Sequence, residues 1–292
     1  MSPEAPKFGK TPETVEMLFD EYAQSAPFNA ESTRSAYLAD FRKLLDFAQE
    51  TGATKIDETV IQNHLDSLPG KLSLRSHAAI QNFFGWIVAE GKIHPDKNPM
   101  KSVIRGKDEN KSYQNITVLS KEKVQELLKE AEHHPRDLAL ITIALNTGAK
   151  MSEIQALTKH DIVKKSHRKM QIIIRKDDHE RKFILSSEGS KIISDYKESL
   201  QSNATFLFHS RHKLDEPITR AGVARIMHDY GKTIGNPNLT LSTLRYTYTV
   251  NSKFQDSQEL AHNLGLRPYI AQSLFKAMQD TGYIQTPHTP EP

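Results

Sequence analysis

Residues 147–153 read Thr147-Gly148-Ala149-Lys150-Met151-Ser152-Glu153 and form a glycine turn between two segments with a helical apolar pattern. The first segment begins at Pro135, a residue favoured in the first turn of a helix, and ends at Asn146, where Gly148 is a stop signal. The second segment predicts a short helix at about 152–157. This junction places the middle of the chain in a mainly helical domain.

The sequence downstream of this junction predicts one β-hairpin. Residues Met170–Arg175 and Lys182–Leu185 are rich in β-branched and aromatic side chains, which favour strands, and a polar turn separates them. Further helices are predicted at about 121–132, 188–200, 219–232, 242–252, 257–264 and 268–278. The expected fold class is therefore mainly α with a small β-hairpin or sheet.

The first part of the chain predicts a separate bundle of four amphipathic helices, at about 11–27, 31–50, 57–68 and 73–90. Between His94 and Ser120 the prolines and a polar run interrupt any apolar period, which indicates a linker. We expect two domains, at about 8–95 and 119–284, joined by a linker at 96–118 and followed by a tail at 285–292.

Composition excludes several classes of protein. No run approaches the roughly 18 apolar residues of a membrane span, and the N-terminus has no apolar secretory core. The absence of cysteine excludes disulfides, thiolate metal sites and a cysteine nucleophile. These features favour a cytoplasmic protein, and we expect neither a metal nor a cofactor.

The charge of the chain is mild overall but uneven. The formal net charge is only +3, yet the segment between Lys164 and Lys182 holds eight Lys or Arg against three acids. Such a local excess suits contact with phosphates, as in nucleic acid. The alternative is a hairpin with ordinary solvated surface charge.

Short motifs in the first domain point to one family. Ser32-Thr33-Arg34-Ser35-Ala36-Tyr37 opens a helix, and Phe83-Phe84-Gly85-Trp86 leads to Gly91 and then Asn98-Pro99. With the order of a four-helix unit, a linker and a helical domain with one hairpin, the chain resembles the tyrosine recombinase (phage integrase) family over about residues 10–280. The resemblance implies a SAM-like core-binding domain that binds DNA, followed by a catalytic-like domain.

The second domain resembles the family in three boxes. Residues 147–153 resemble the family's Thr-Gly-x-Arg-x-Ser-Glu, with Lys150 in place of Arg. Lys176 in the hairpin turn matches the family's Lys, which acts as general acid. The family's His-x-Leu-Arg-His corresponds to 242–246, where Arg245 is kept but Ser242 and Tyr246 replace the two histidines.

The last box lacks the residue that attacks DNA. The family has Leu-Gly-His and then a tyrosine nine residues after the histidine, whereas this chain has Leu266 at the histidine position and Phe275 at the tyrosine position. Phenylalanine has no hydroxyl to form a covalent phosphotyrosine. We therefore expect no catalytic residues and a degenerate site at Lys150, Lys176, Ser242, Arg245, Tyr246, Leu266 and Phe275. The alternative is an active recombinase with a displaced nucleophile, Tyr269 or Tyr283.

The resemblance implies a nucleoid-associated protein that binds double-stranded DNA without cutting it. Its uses would be transcription control, replicon partition or modulation of an active recombinase, with possible self-association through the last helix. A helical protein–protein scaffold without a DNA role is the remaining alternative. The candidate DNA contacts are Arg34, Arg42, Lys43, Arg75, His77, Gln81, Lys150, Lys176, Arg181, Arg220, Arg225 and Arg245.

Overall fold

The computed structural model describes residues 10–26, 28, 31–105, 113, 116–176, 179–211 and 213–284, with the side chain of Lys176 outside the described part. The chain divides into two compact units, 1–111 and 112–292. Among the described residues, no helix combines the length and apolar character needed to cross a bilayer. The same residues contain no cluster of His, Asp and Glu placed to hold a metal ion.

The first unit is the predicted four-helix bundle. Its helices are α1 (Pro12–Ser25), α2 (Glu31–Glu50), α3 (Glu58–Ser67) and α4 (Gly70–Ala89). The side chain of Thr11 caps α1 and that of Asp57 caps α3 by accepting backbone N–H groups, which satisfies donors that have no partner within the helix. Aromatic rings fill the core, where Phe19 stacks on Phe41 and Phe83 packs against both at a tilt.

The first part of the predicted linker packs onto this bundle. Residues Pro95–Lys97 and Pro99–Lys101 form two 3₁₀ turns. Met100 and Val103 contact the core of the first unit. The apolar residues here are too widely spaced to show a period, so the sequence pattern alone did not indicate that they are buried.

The second unit contains eight helices and one sheet among its described residues. The helices are α5 (Lys121–Ala131), α6 (Pro135–Thr147), α7 (Met151–Ala156), α8 (Ser187–Ser199), α9 (Arg220–Thr233), α10 (Leu241–Asn251), α11 (Ser257–Leu264) and α12 (Pro268–Asp280). The strands are β1 (Ile162–Ser166), β2 (Lys169–Lys176) and β3 (His179–Ile184). The fold class is thus mainly α with a small antiparallel sheet, as the sequence predicted.

The sheet has the order β1-β2-β3 and is one strand larger than the predicted hairpin. Ile172 lies opposite Ile162 on one side and Phe183 on the other, and all three are buried. β1 reads Ile-Val-Lys-Lys-Ser, and only its first residue is buried. Such a strand lacks the alternation that identifies a strand from sequence, and pairing with β2 supplies its stability instead.

Helices α11 and α12 form a second core of this unit. Leu264, Leu274, Phe275 and Met278 are buried in it, together with Ile116 from the segment before α5. The apolar face of the last helix is therefore covered within its own chain. The long-range packing of this helix places the turn between α11 and α12 beside the end of α6.

Candidate functional site

Five of the seven positions identified in the sequence boxes meet at one cavity of the second unit. The cavity has a volume of about 500 Å³ and lies among α7, α9, α10 and the α11–α12 turn. The residues in question are Lys150, Ser242, Arg245, Tyr246 and Leu266, and Arg220 also lines the cavity. Basic and hydroxyl side chains separated by about 90 residues of sequence thus share one concave surface.

Lys150 reaches the cavity because of the glycine that precedes it. Gly148 ends α6 with φ 59°, and a Cβ there would lie 2.6 Å from Tyr248 Cδ1 and 2.7 Å from Leu264 Cδ2. Only glycine combines this backbone conformation with such close packing. Lys150 follows at the N-cap of α7, where Glu153 accepts its backbone N–H at 2.7 Å.

Three basic side chains bind the end of α11. The last carbonyl groups at this helix end each accept one hydrogen bond. Arg181 Nη1 donates to Asn263 O (2.5 Å) and Arg245 Nη2 donates to Leu264 O (3.0 Å). Lys150 Nζ donates to Gly265 O (3.0 Å). Carbonyls at a helix C-terminus have no partner within the helix and carry the negative end of its dipole. The three cations therefore fix the turn between α11 and α12.

Arg245 is the most enclosed of the charged groups at the cavity. Its side chain donates from Nη1 to Gly148 O and from Nη2 to Leu264 O, and the residue is only 8% exposed. Burial lowers its pKa to about 10, while the nearby Glu153 carboxylate acts in the opposite direction. The guanidinium remains charged at neutral pH, so the cavity keeps a fixed positive charge at its base.

Arg181 does not face solvent. It is 8% exposed and its Nη2 lies 2.6 Å from Glu153 Oε1, an ion pair whose two side chains are both buried. The sequence analysis named Arg181 as a candidate DNA contact. In the structure its position is explained by the carboxylate of Glu153 and the carbonyl of Asn263, which occupy its donors.

Comparison with known proteins identifies one family. Residues 117–253 match the sequence model of the phage integrase family. The second unit contains a phage integrase domain. No curated protein sequence matches the chain.

Solved structures of the integrase family share the architecture. The XerH recombinase bound to its difH substrate superposes with a TM-score of 0.66 at 16% identity, over 93% of this chain and 84% of that one. A lambda integrase dimer bound to a core site gives 0.64 at 14%, over 94% and 83%. The Tn1549 transposon integrase with a circular intermediate DNA gives 0.61 at 14%, over 94% and 96%. At these identities the likeness establishes the tyrosine recombinase fold.

Phe275, which the sequence analysis aligned with the family's tyrosine, lies in an apolar core of the second unit. Phe275 is buried among Leu264, Ala271, Leu274 and Met278 and does not line the cavity. A hydroxyl-free ring fills this space by packing alone.

The two tyrosines considered as displaced nucleophiles are also outside the cavity. Tyr269 is 61% exposed, and Tyr283 donates from its hydroxyl to Ile116 O at 3.5 Å. Neither is among the residues that line the cavity.

Tyr113 is a cavity residue that the sequence analysis missed. It lines the same wall as Arg245 and Tyr246. Burial raises the pKa of the Tyr113 phenol, the neighbouring Tyr246 adds to this, and the charge of Arg245 opposes it. The residue belongs to a polar stretch that reads as linker, and no local pattern distinguishes it from a solvated tyrosine.

Two candidate arginines of the first unit, Arg34 and Arg42, form ion pairs. Arg34 Nη1 lies 3.2 Å from Glu31 Oε1, and Arg42 Nη1 lies 2.5 Å from Glu16 Oε1. Both side chains remain partly exposed, so their charges are reduced locally rather than removed from the surface.

The candidates on α4 divide into a paired arginine, a buried histidine and an exposed amide. Arg75 binds the Asp40 carboxylate through Nε and Nη2, and Lys43 Nζ lies 3.5 Å from the same carboxylate. Although burial raises the pKa of Asp40, the hydrogen bond and charge of Arg75 lower it overall. His77 is only 6% exposed and faces the core, whereas Gln81 is exposed.

Helix α9 directs its two arginines to different surfaces. Arg220, at its first position, lines the cavity. Arg225 lines a separate groove of about 770 Å³ with Arg136 and Arg211. The remaining candidate, the side chain of Lys176, lies outside the described residues.

Proposed function

We propose that this chain is a site-specific DNA-binding protein that holds backbone phosphate in the recombinase cavity without cutting the strand. The observation that supports this is the composition of the cavity, where Lys150, Arg220 and Arg245 supply positive charge. Phe275, which the sequence resemblance aligns with the family's nucleophile, is buried and has no hydroxyl. Lysine and arginine bind phosphate oxygens, and a residue without a hydroxyl forms no phosphotyrosine.

The related structures support DNA as the partner. XerH was solved with its difH substrate, lambda integrase with a core site, and the Tn1549 integrase with circular intermediate DNA. In this chain, Lys150 replaces the family's arginine and cannot form a planar two-point clamp on a phosphate. Ser242 and Tyr246 donate hydrogen bonds but carry no positive charge. The cavity is thus suited to phosphate binding more than to stabilising a transition state.

The second candidate function is strand cleavage by a tyrosine other than the family's. Tyr113 favours it, because its ring lies in the cavity beside Arg245. In that case the Tyr113 hydroxyl would replace the one absent at Phe275. The two functions differ in whether a covalent protein–DNA bond forms.

A suicide DNA substrate with a nick beside the cleavage position tests this difference. We expect no covalent adduct on a denaturing gel, for the wild-type chain or for the Tyr113→Phe variant. An adduct in the wild type that Tyr113→Phe abolishes would establish the cleavage function and overturn the proposal. An adduct that survives this substitution would overturn it as well and would direct peptide mapping to Tyr246 and Tyr269.

The DNA-binding role itself is tested by affinity at several salt concentrations. Selection from a random duplex library should yield a defined motif, and affinity for it should fall steeply with salt, with a log–log slope of about −0.9 per neutralised phosphate. A helical scaffold without a DNA role would show no such dependence. The selected motif and its position relative to genes would then distinguish a transcription regulator from a partition factor or an accessory to an active recombinase.

A further inference from the structure

A second basic surface lies on the integrase domain, away from the cavity. We call it the β1–β2 groove. It has a volume of about 570 Å³ and lies between the turn joining β1 to β2 and one face of α8. The residues that line it are Lys164, His167, Arg168, Lys169, Met170, Ser187, Ser190, Lys191, Ser194, Asp195, Lys197 and Glu198.

The groove has a local excess of positive charge. Five of its lining residues are Lys or Arg and two are acidic, an excess of three positive charges, whereas the whole chain of 292 residues has a net charge of +3. Positive charges gathered in one concave surface attract a polyanion far more strongly than the same charges dispersed.

Three of the five cations of the groove are exposed and unpaired within the part of the chain that the structure describes, whereas Lys197 donates to Ile162 O. Among the described residues, Lys164, Arg168 and Lys191 have no ion-pair or hydrogen-bond partner, and all three are exposed. This contrasts with Arg42 and Arg75 of the first unit, each of which binds a carboxylate. Unpaired guanidinium and ammonium groups keep their full donor capacity for an external acceptor.

The α8 wall of the groove adds hydroxyl groups at helical spacing. Ser187, Ser190 and Ser194 lie on the same face of this helix. Ser187 is exposed and is the hydroxyl best placed for an external partner. Ser190 is buried and accepts from the backbone N–H of Met170 at 2.9 Å, and Ser194 Oγ donates to Glu198 Oε1 at 3.0 Å. Serine hydroxyls and basic side chains together are the groups that contact sugar-phosphate backbones, and they carry no information about base sequence.

The groove is separate from the cavity described above. The β1–β2 groove lies at the Lys169 end of β2. His179, at the other end of the β2–β3 pair, lines a different groove, and Leu266 lines both that groove and the cavity. Seven residue steps along β2 span about 23 Å, which corresponds to roughly seven base pairs of duplex. One phosphate group cannot occupy both places.

We propose that the β1–β2 groove is a second, sequence-independent binding site for the phosphodiester backbone of double-stranded DNA. This rests on the proposed DNA-binding function and extends it from the cavity to a second surface of the same unit. The groove adds affinity for any duplex, whereas the selected motif is read elsewhere on the protein.

The test compares two triple variants of the full chain that change the net charge equally. The groove variant carries Lys164→Gln, Arg168→Gln and Lys191→Gln. The control variant replaces three exposed lysines on other helices, with Lys121→Gln, Lys129→Gln and Lys276→Gln. Circular dichroism melts first establish that both fold like the wild type. Affinity for the selected duplex and for a scrambled duplex is then measured across salt concentrations.

We expect the groove variant to bind both duplexes more weakly and to reduce the magnitude of the salt slope by about 3, since each lost phosphate contact removes about one unit. The control variant should keep the wild-type slope to within about one unit. Equal slopes for the two variants would overturn the groove site while the wild type still bound DNA. A wild type without salt-dependent DNA affinity would instead overturn the proposed function.

A lipid arm distinguishes DNA from another polyanion. Vesicles rich in phosphatidylserine replace the duplex in a sedimentation assay with the same proteins. Loss of vesicle binding in the groove variant, with DNA binding at the wild-type level, would assign the groove to a membrane surface and refute the proposal.

Discussion

Replacement of Arg245 by methionine tests whether this buried cation stabilises the end of α11. Methionine keeps much of the apolar stem but donates no hydrogen bonds, so Gly148 O and Leu264 O each lose a partner. A hydrogen bond from a charged group contributes about 1.5–3 kcal/mol, so the two together contribute about 3–6 kcal/mol. Burial lowers the pKa of Arg245 to about 10, which shows that desolvation offsets part of this gain.

The lower end of the range, about 3 kcal/mol, is therefore the expected loss in the free energy of unfolding. For a unit of this size each kcal/mol shifts the Tm by about 2–4 °C, so the Arg245→Met variant should melt about 6–12 °C below the wild type. Circular dichroism at 222 nm, a helix signal, is the measurement. The test needs neither DNA nor any activity.

Arg220→Met is the matched control, since Arg220 lines the same cavity but is exposed. A surface substitution of this kind should change stability by no more than about 0.5 kcal/mol. Both variants should bind DNA more weakly when assayed well below the lower Tm. A melting temperature for Arg245→Met within about 2 °C of the wild type would refute the assigned hydrogen bonds, as would an equal loss in Arg220→Met.

Three further outcomes are expected. Phe275→Tyr restores a hydroxyl but should give no covalent adduct with a suicide substrate, because the cavity still lacks the other catalytic groups; an adduct would show a competent site. Gly148→Ala places a Cβ 2.6 Å from Tyr248 Cδ1 at a residue with φ 59°. The free energy of unfolding measured in urea should therefore fall by about 2 kcal/mol or more, and a decrease under about 0.5 kcal/mol would contradict the packing. Burial lowers the pKa of His77 below its usual 6.5. Below pH 6.5 the unfolded chain therefore binds a proton at this histidine that the folded chain does not. The stability that neutral His77 contributes is present above pH 6.5 and is lost as the pH falls below it. The Tm of the wild type should therefore fall between pH 7 and pH 5 more steeply than that of His77→Asn, and parallel curves would exclude this histidine as the cause.

Much of the fold and part of the site were predictable because they depend on short-range patterns. The periodicity of apolar residues predicted the helices, and a run of β-branched residues predicted β2 and β3. The Gly148 turn can be read without knowledge of contacts, and the match to the phage integrase family confirmed the resemblance. The alignment of Phe275 with the family's tyrosine stays a prediction from the spacing after Leu266. A local pattern is sufficient wherever one segment alone sets the conformation.

Only the tertiary structure decided what the charged residues do. No local pattern indicates that Arg181 and Arg245 bind carbonyls at the end of α11, about 82 and 19 residues away along the chain, or that Tyr113 enters the cavity. β1 is a strand because β2 pairs with it and not because of its own residues. The sequence determines which groups are available to form such contacts. Whether a cation faces solvent or a helix end is determined by burial and by hydrogen bonds between distant segments. Burial and these hydrogen bonds depend on packing between segments, which no single segment contains.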